Sequence, residues 1–147
     1  MIVHRFMSDR EYQKLIKGDT LKNSIVHKEK GCLSTSIGFC FFAEPPEKAI
    51  HWLSFNVDTD WCVTFDIPDE MLTEAKAHYR DPEKDKDRSL FDEPASIWRT
   101  EWCLQEYSNK DVQIVKADNQ FANYVDEIKK ELEKQGPFGR MILALLS

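Results

Sequence analysis

The apolar positions change period several times along the chain, and each change predicts an element. Residues 2–7 (IVHRFM) flank a His-Arg pair with apolar side chains and predict a strand. Ser8-x-x-Glu11 then reads as a capping box, in which a hydroxyl and a carboxylate satisfy free amides at a helix start. Tyr12, Leu15 and Ile16 form that helix's apolar stripe, and Gly18 supplies a left-handed stop. Residues 19–31 are polar and aperiodic. From 32 to 42 the chain is apolar around Ser34-Thr35-Ser36 and passes Gly38 into FCFF, a buried strand. Pro45-Pro46 ends that run and opens a helix through EKAIHWLSF, since proline is tolerated in a first helical turn.

Residues 61–67 (WCVTFDI) set Trp61, Val63, Phe65 and Ile67 against Cys62, Thr64 and Asp66, the alternation of a half-buried strand. Pro68 opens another helix to about residue 79. Residues 81–96 (DPEKDKDRSLFDEPAS) carry mixed charge without a period, and loops of that length in a compact domain are functional or disordered. Two strands follow at about 97–107 and 111–117, joined by a turn at Asn109-Lys110. Phe121, Tyr124, Val125, Ile128 and Leu132 then fall at helical spacing, up to Gly136. With no internal repeat and no linker, the pattern predicts a single α+β domain over residues 1–147.

Composition narrows the classes. A chain of 147 residues, 41% hydrophobic and 31% charged, builds one core. Five glycines and six prolines exclude a collagenous or low-complexity chain. The net charge of −6 argues against a protein that coats duplex nucleic acid, so any anionic ligand needs a local positive site. Cys32, Cys40, Cys62 and Cys103 include no C-x-x-C pair, and the first residues carry no signal-peptide core. The longest apolar run, 141–146 (MILALL), is too short to span a bilayer. The expectation is a cytoplasmic chain with free thiols and no membrane association.

Several chemistries drop out. The glycines, at 18, 31, 38, 136 and 139, write neither a dinucleotide fingerprint nor a P-loop. His4, His27, His51 and His78 show no zinc-ligand spacing with cysteine or carboxylate, so no metal site is expected. A cysteine nucleophile with a histidine partner stays open, because such partners meet in space and not in sequence.

Three segments carry candidate chemistry. In His4-Arg5 the side chains point to opposite faces of a strand, and an arginine there either grips a phosphate bidentately or pairs with an acid. Ser34-Thr35-Ser36 offers hydroxyls to a ribose or a carboxylate, or else forms a turn. In 98–104 alternation sets Trp98, Thr100, Trp102 and Leu104 on one face and Arg99, Glu101 and Cys103 on the other. Glu101 is therefore either paired, most simply with Arg99, or working, since burying a bare carboxylate costs too much.

Taken in order, these segments resemble the ADP-ribosyltransferase superfamily. Its arginine-serine-glutamate branch has an aromatic-Arg-Gly-type strand near the start, a Ser-Thr-Ser strand and a late Glu/Gln-x-Glu; here stand HRFMS with Arg5, STS at 34–36, and RTE ending in Glu101. Phe6 replaces the glycine, and Arg99 stands where that branch has Glu or Gln. WCLQEYSNKDVQIV resembles the strand, turn and strand that follow the family's glutamate. GFCFFAEPPEKAIHW and TEWCL are similar to segments of the poly-ADP-ribose polymerase-like branch. In that alignment His4 is the triad histidine, Cys40 takes the place of the triad tyrosine and His51 that of the nicotinamide-stacking ring.

The resemblance implies an ADP-ribosyltransferase-like core of two small packed β-sheets flanked by helices. It also implies a mono-ADP-ribosyltransferase that uses NAD as substrate, cleaves its nicotinamide–ribose bond and passes ADP-ribose to an acceptor, a protein ahead of nucleic acid. Small transferases of this kind are often toxins or effectors. Glu101 would stabilise the oxocarbenium-like sugar, a role physically close to glycoside chemistry. Arg5 would hold the phosphates or ribose and share one hollow with Glu101. Ser34 would orient Glu101 or touch the ribose, with Thr35 and Ser36 closing the strand. Phe39, His51 or Trp52 would stack on nicotinamide, and the loop with Phe91, Asp92 and Glu93 would recognise the acceptor. Two alternatives stand beside this: a non-catalytic NAD-binding or interaction module on the same fold, and an unrelated α+β protein that docks a partner or second copy through 141–146.

Overall fold

The computed structural model describes residues 1–22, 38–52, 57–87, 92, 95–134 and 136–137. Ser34, Thr35, Ser36, Cys32, His27, Phe91, Glu93 and the segment 141–146 lie outside the described residues. The described strands are β1 (Ile2–Met7), β2 (Leu21–Lys22), β3 (Phe39–Phe41), β4 (Trp61–Asp66), β5 (Thr73–Arg80), β6 (Ser96–Leu104), β7 (Glu106–Tyr107) and β8 (Gln113–Asp118). The described helices are α1 (Asp9–Lys17), α2 (Pro46–Ala49), α3 (Pro82–Asp85) and α4 (Tyr124–Glu133), with 3₁₀ turns at Ile50–Trp52 and Asp69–Met71. The architecture is thus mixed α+β, as the sequence pattern predicts.

The sheets are small and antiparallel. One has the order β1-β4-β8, a second β3-β6-β5, and β2 pairs with β7. A two-bond bridge between His4 and Phe42 (2.8 and 2.9 Å) ties β1 to the end of β3, so the first two sheets meet along that line.

α1 starts and stops where the sequence says. The Ser8 hydroxyl accepts the Glu11 amide at 3.1 Å, and Gly18 sits at φ 97°, a conformation that favours glycine. Leu15 is buried and Tyr12 stacks on Trp61, whereas Ile16, expected in the same stripe, is exposed. Gly38, at φ 116°, begins β3 so close to β6 that a Cβ there would collide with the Leu104 carbonyl.

The helix expected from Pro68 to about residue 79 is not formed. Asp69–Met71 makes one 3₁₀ turn, and β5 follows, paired with β6 at every position from Thr73 opposite Cys103 to Arg80 opposite Ser96. The two alanines favour helix in isolation, but eight ladder positions outweigh that preference. Ala75, Ala77 and Tyr79 turn inward while Glu74, Lys76 and His78 stay exposed, the period-two pattern of a strand.

Two apolar clusters result. Val3, Met7, Leu15, Phe39, Phe41, Val63, Phe65, Leu104 and Tyr107 form the larger one. Phe6, Ala49, Ile50 and Cys62, with Phe42, Trp52 and Tyr124 against them, form the second. β1 and β4 feed both clusters from alternate residues, so Cys62, on the face of β4 opposite Val63 and Phe65, is buried as well, in keeping with the expectation of mostly buried thiols.

Candidate functional site

Strand register decides which side chains meet. Cys40 lies directly opposite Cys103, and Ala75 opposite Glu101. Alternation then places Arg99, Glu101, Cys103 and Cys40 on one face, with Phe39, Phe41, Trp102 and Leu104 on the other. The bridge from His4 to Phe42 carries this first face onto β1, so His4 and Phe42 share it with Cys40 and Glu101. Arg5, the next residue, faces the opposite way.

Glu101 is 4% exposed, and its Oε2 is buried with no hydrogen-bond partner among the described residues. Opposite it stands Ala75, which offers no polar side chain to the carboxylate. Arg99 does not pair with it: no ion pair joins the two among the described residues, and the Arg99 guanidinium lies 3.4 Å over the Trp52 ring. Its Nε is likewise buried and unpartnered. The simplest structural explanation for Glu101, neutralisation by Arg99, is therefore not what the structure forms.

The Cys40 and Cys103 sulfurs are 3.5 Å apart. The hydrogen bond from Cys40 holds the Cys103 thiol's pKa below its ordinary value, against burial and the Glu101 charge. One carboxylate oxygen of Glu101 and the two sulfurs all lie within 4.8 Å of one another, a set that can hold a metal ion.

His4 is half-buried. Its Nδ1 is 2.8 Å from Thr64 Oγ1 and its ring lies against Phe42. Burial lowers its pKa; Lys116 adds to that and Glu47 opposes it. His51 is exposed, with Nδ1 2.8 Å from the Tyr124 hydroxyl. Trp52 packs against the cluster of Phe6, Ala49, Ile50 and Cys62 and carries Arg99 on its face.

Arg5 has a different setting. Its Nε and one terminal nitrogen bind both Glu11 oxygens (2.7 and 2.9 Å), and the other donates to the Cys40 carbonyl at 3.1 Å. The guanidinium also lies over Phe39, 5.1 Å from the ring centroid, and near Phe41. Burial works against its charge, but the adjoining Glu11 carboxylate more than reverses that and raises the pKa. Tyr107 donates its hydroxyl to the same carboxylate at 2.7 Å. Arg5 and Phe39 thus sit on the larger core's side of β3, and Glu101 on the other. The expected single hollow flanked by Arg5 and Glu101 is replaced by two environments separated by one strand.

The structure therefore brings together Glu101, His4, Trp52 and Cys40 on one face, sets Arg5 and Phe39 apart, and leaves Ser34, Thr35 and Ser36 outside the described residues. An open hollow lined by Asp66, Asn109, Lys110 and Asp111 contains none of these residues. The thiol pair is the feature that sequence reasoning missed. Its cysteines are 63 positions apart, and only the β3–β6 register reveals them as neighbours. No helix among the described residues is long and apolar enough to cross a membrane. No family model, curated protein or solved structure matches the chain.

Proposed function

We propose that the chain is an NAD-dependent mono-ADP-ribosyltransferase whose working carboxylate is Glu101, on the face of β6 that it shares with His4. The observation that carries this reading is the buried, unpartnered Oε2 of Glu101. A carboxylate oxygen removed from water and left without a donor is unfavourable, and a ribose hydroxyl is a donor of the right kind. As the nicotinamide–ribose bond breaks, positive charge develops on the sugar, and a fixed anion beside it lowers the barrier. His4 shares this face through its bridge to Phe42, which favours the polymerase-like form of the motif over the arginine form. Trp52 and His51 are the rings available to nicotinamide; Arg99, stacked on Trp52, supplies a cation for the phosphates.

The test is nicotinamide release from NAD. Glu101→Gln is expected to lower the rate by about two to three powers of ten, the usual cost of losing one electrostatic group. An unchanged rate overturns the assignment. Labelled NAD with a cell lysate then reports whether protein or nucleic acid accepts the ADP-ribose.

The second reading, a non-catalytic NAD-binding or interaction module, draws on the commitment of Arg5 to Glu11, which takes the motif's arginine away from a phosphate. NAD affinity without nicotinamide release selects it.

A further inference from the structure

We propose that Cys40, Cys103 and Glu101 form a three-ligand site for a soft divalent cation, zinc, with a fourth position open to solvent. The ligands come from two adjacent strands held in fixed register: Cys40 directly opposite Cys103, and Glu101 two residues earlier on the same face of β6. The sulfurs stand 3.5 Å apart. A tetrahedral zinc ion about 2.3 Å from each sulfur holds them about 3.8 Å apart, so the strands need open by only a few tenths of an ångström. All three ligand atoms already lie within 4.8 Å of one another.

A pair of cysteines alone would read as core packing. The carboxylate changes that. Glu101 is 4% exposed, and its Oε2 has no hydrogen-bond partner among the described residues. A cation bound by this carboxylate offsets the cost of burying its charge, since buried charges are tolerated when paired or bound to metal. Two sulfurs and one carboxylate oxygen select zinc over the hard cations magnesium and calcium, which take oxygen ligands. Cys40 is only half-buried, so a water molecule can complete the tetrahedron from that side. Each thiol gives up its proton to solvent on binding, so uptake releases protons and tightens as pH rises. One consequence rests on the proposed function: zinc would occupy the carboxylate that faces the ribose, so metal occupancy and NAD cleavage exclude each other.

The test uses the whole chain, metal-free and kept reduced, titrated with cobalt(II) as the probe. The expected result is a near-ultraviolet thiolate-to-cobalt absorption that saturates at one equivalent and is displaced by zinc. Cys40→Ser, a change at a half-buried position, should abolish the band, and Glu101→Gln should weaken cobalt binding at least tenfold. Cys62→Ala, outside the site, should leave the band intact. No band in tenfold excess cobalt, or a band that survives Cys40→Ser, overturns the site. The two readings fail separately: the cobalt band reports the metal site whether or not NAD is cleaved, and nicotinamide release by the metal-free protein reports the enzyme.

Discussion

Arg5 and Glu101 are both charged and largely shielded from water, yet their situations are opposite. Arg5 is engaged: it binds both oxygens of Glu11 and the Cys40 carbonyl, over the Phe39 ring. Removing one partner of such a pair leaves the other buried and uncompensated, at about 3–5 kcal/mol. Arg5→Ala should therefore lower the urea midpoint sharply, because Glu11 then loses both of its bonds to the guanidinium. Reduced NAD affinity at unchanged stability would instead make Arg5 a ligand-binding group. Glu101 has a vacant acceptor, which is why it and not Arg5 marks the site. His4 adds a pH dependence. Burial lowers its folded-state pKa below the ordinary value of about 6.5, so the unfolded chain binds the proton more readily. The stability it contributes is complete above about pH 6.5 and is lost as pH falls through the folded value. Urea unfolding at pH 5 and pH 7.5 should show a difference that His4→Gln reduces; an undiminished difference would place the effect elsewhere.

Among the elements, those defined by local chemistry were legible in the sequence. β1, α1 with its serine cap and glycine stop, and β4 all stand where the pattern puts them. β5 was not, because alanine, glutamate and lysine are good helix formers and nothing local in TEAKAHYR announces the eight-position ladder with β6. The face assignment of Arg99, Glu101 and Cys103 was legible from alternation within β6. What occupies that face was not. The thiol pair depends on the register between β3 and β6, and the stacking of Arg99 on Trp52 depends on where the 3₁₀ turn docks. Contacts between distant segments are set by the fold as a whole, and no spacing along the chain encodes them.

Across the whole molecule, the decisive feature is that β1 belongs to one sheet and reaches the next through a single bridge at His4 and Phe42. That bridge sorts consecutive residues into separate functions. Arg5 enters the larger core, where it ties α1 and β7 to β3 through Glu11, Tyr107 and the Cys40 carbonyl. His4 enters the face that carries Glu101. The chain is acidic overall, with a net charge of −6, so a dinucleotide would approach through a local cation; among the described residues Arg99 and Lys116, the latter opposite Thr64 in the His4 row, lie on this face. The most direct measurement is a crystal structure with NAD bound. A ribose hydroxyl within about 3 Å of the free Glu101 oxygen, on the side shared with His4 and Trp52, is the predicted result. NAD seated against Arg5 on the other side of β3, with that oxygen still bare, would contradict it.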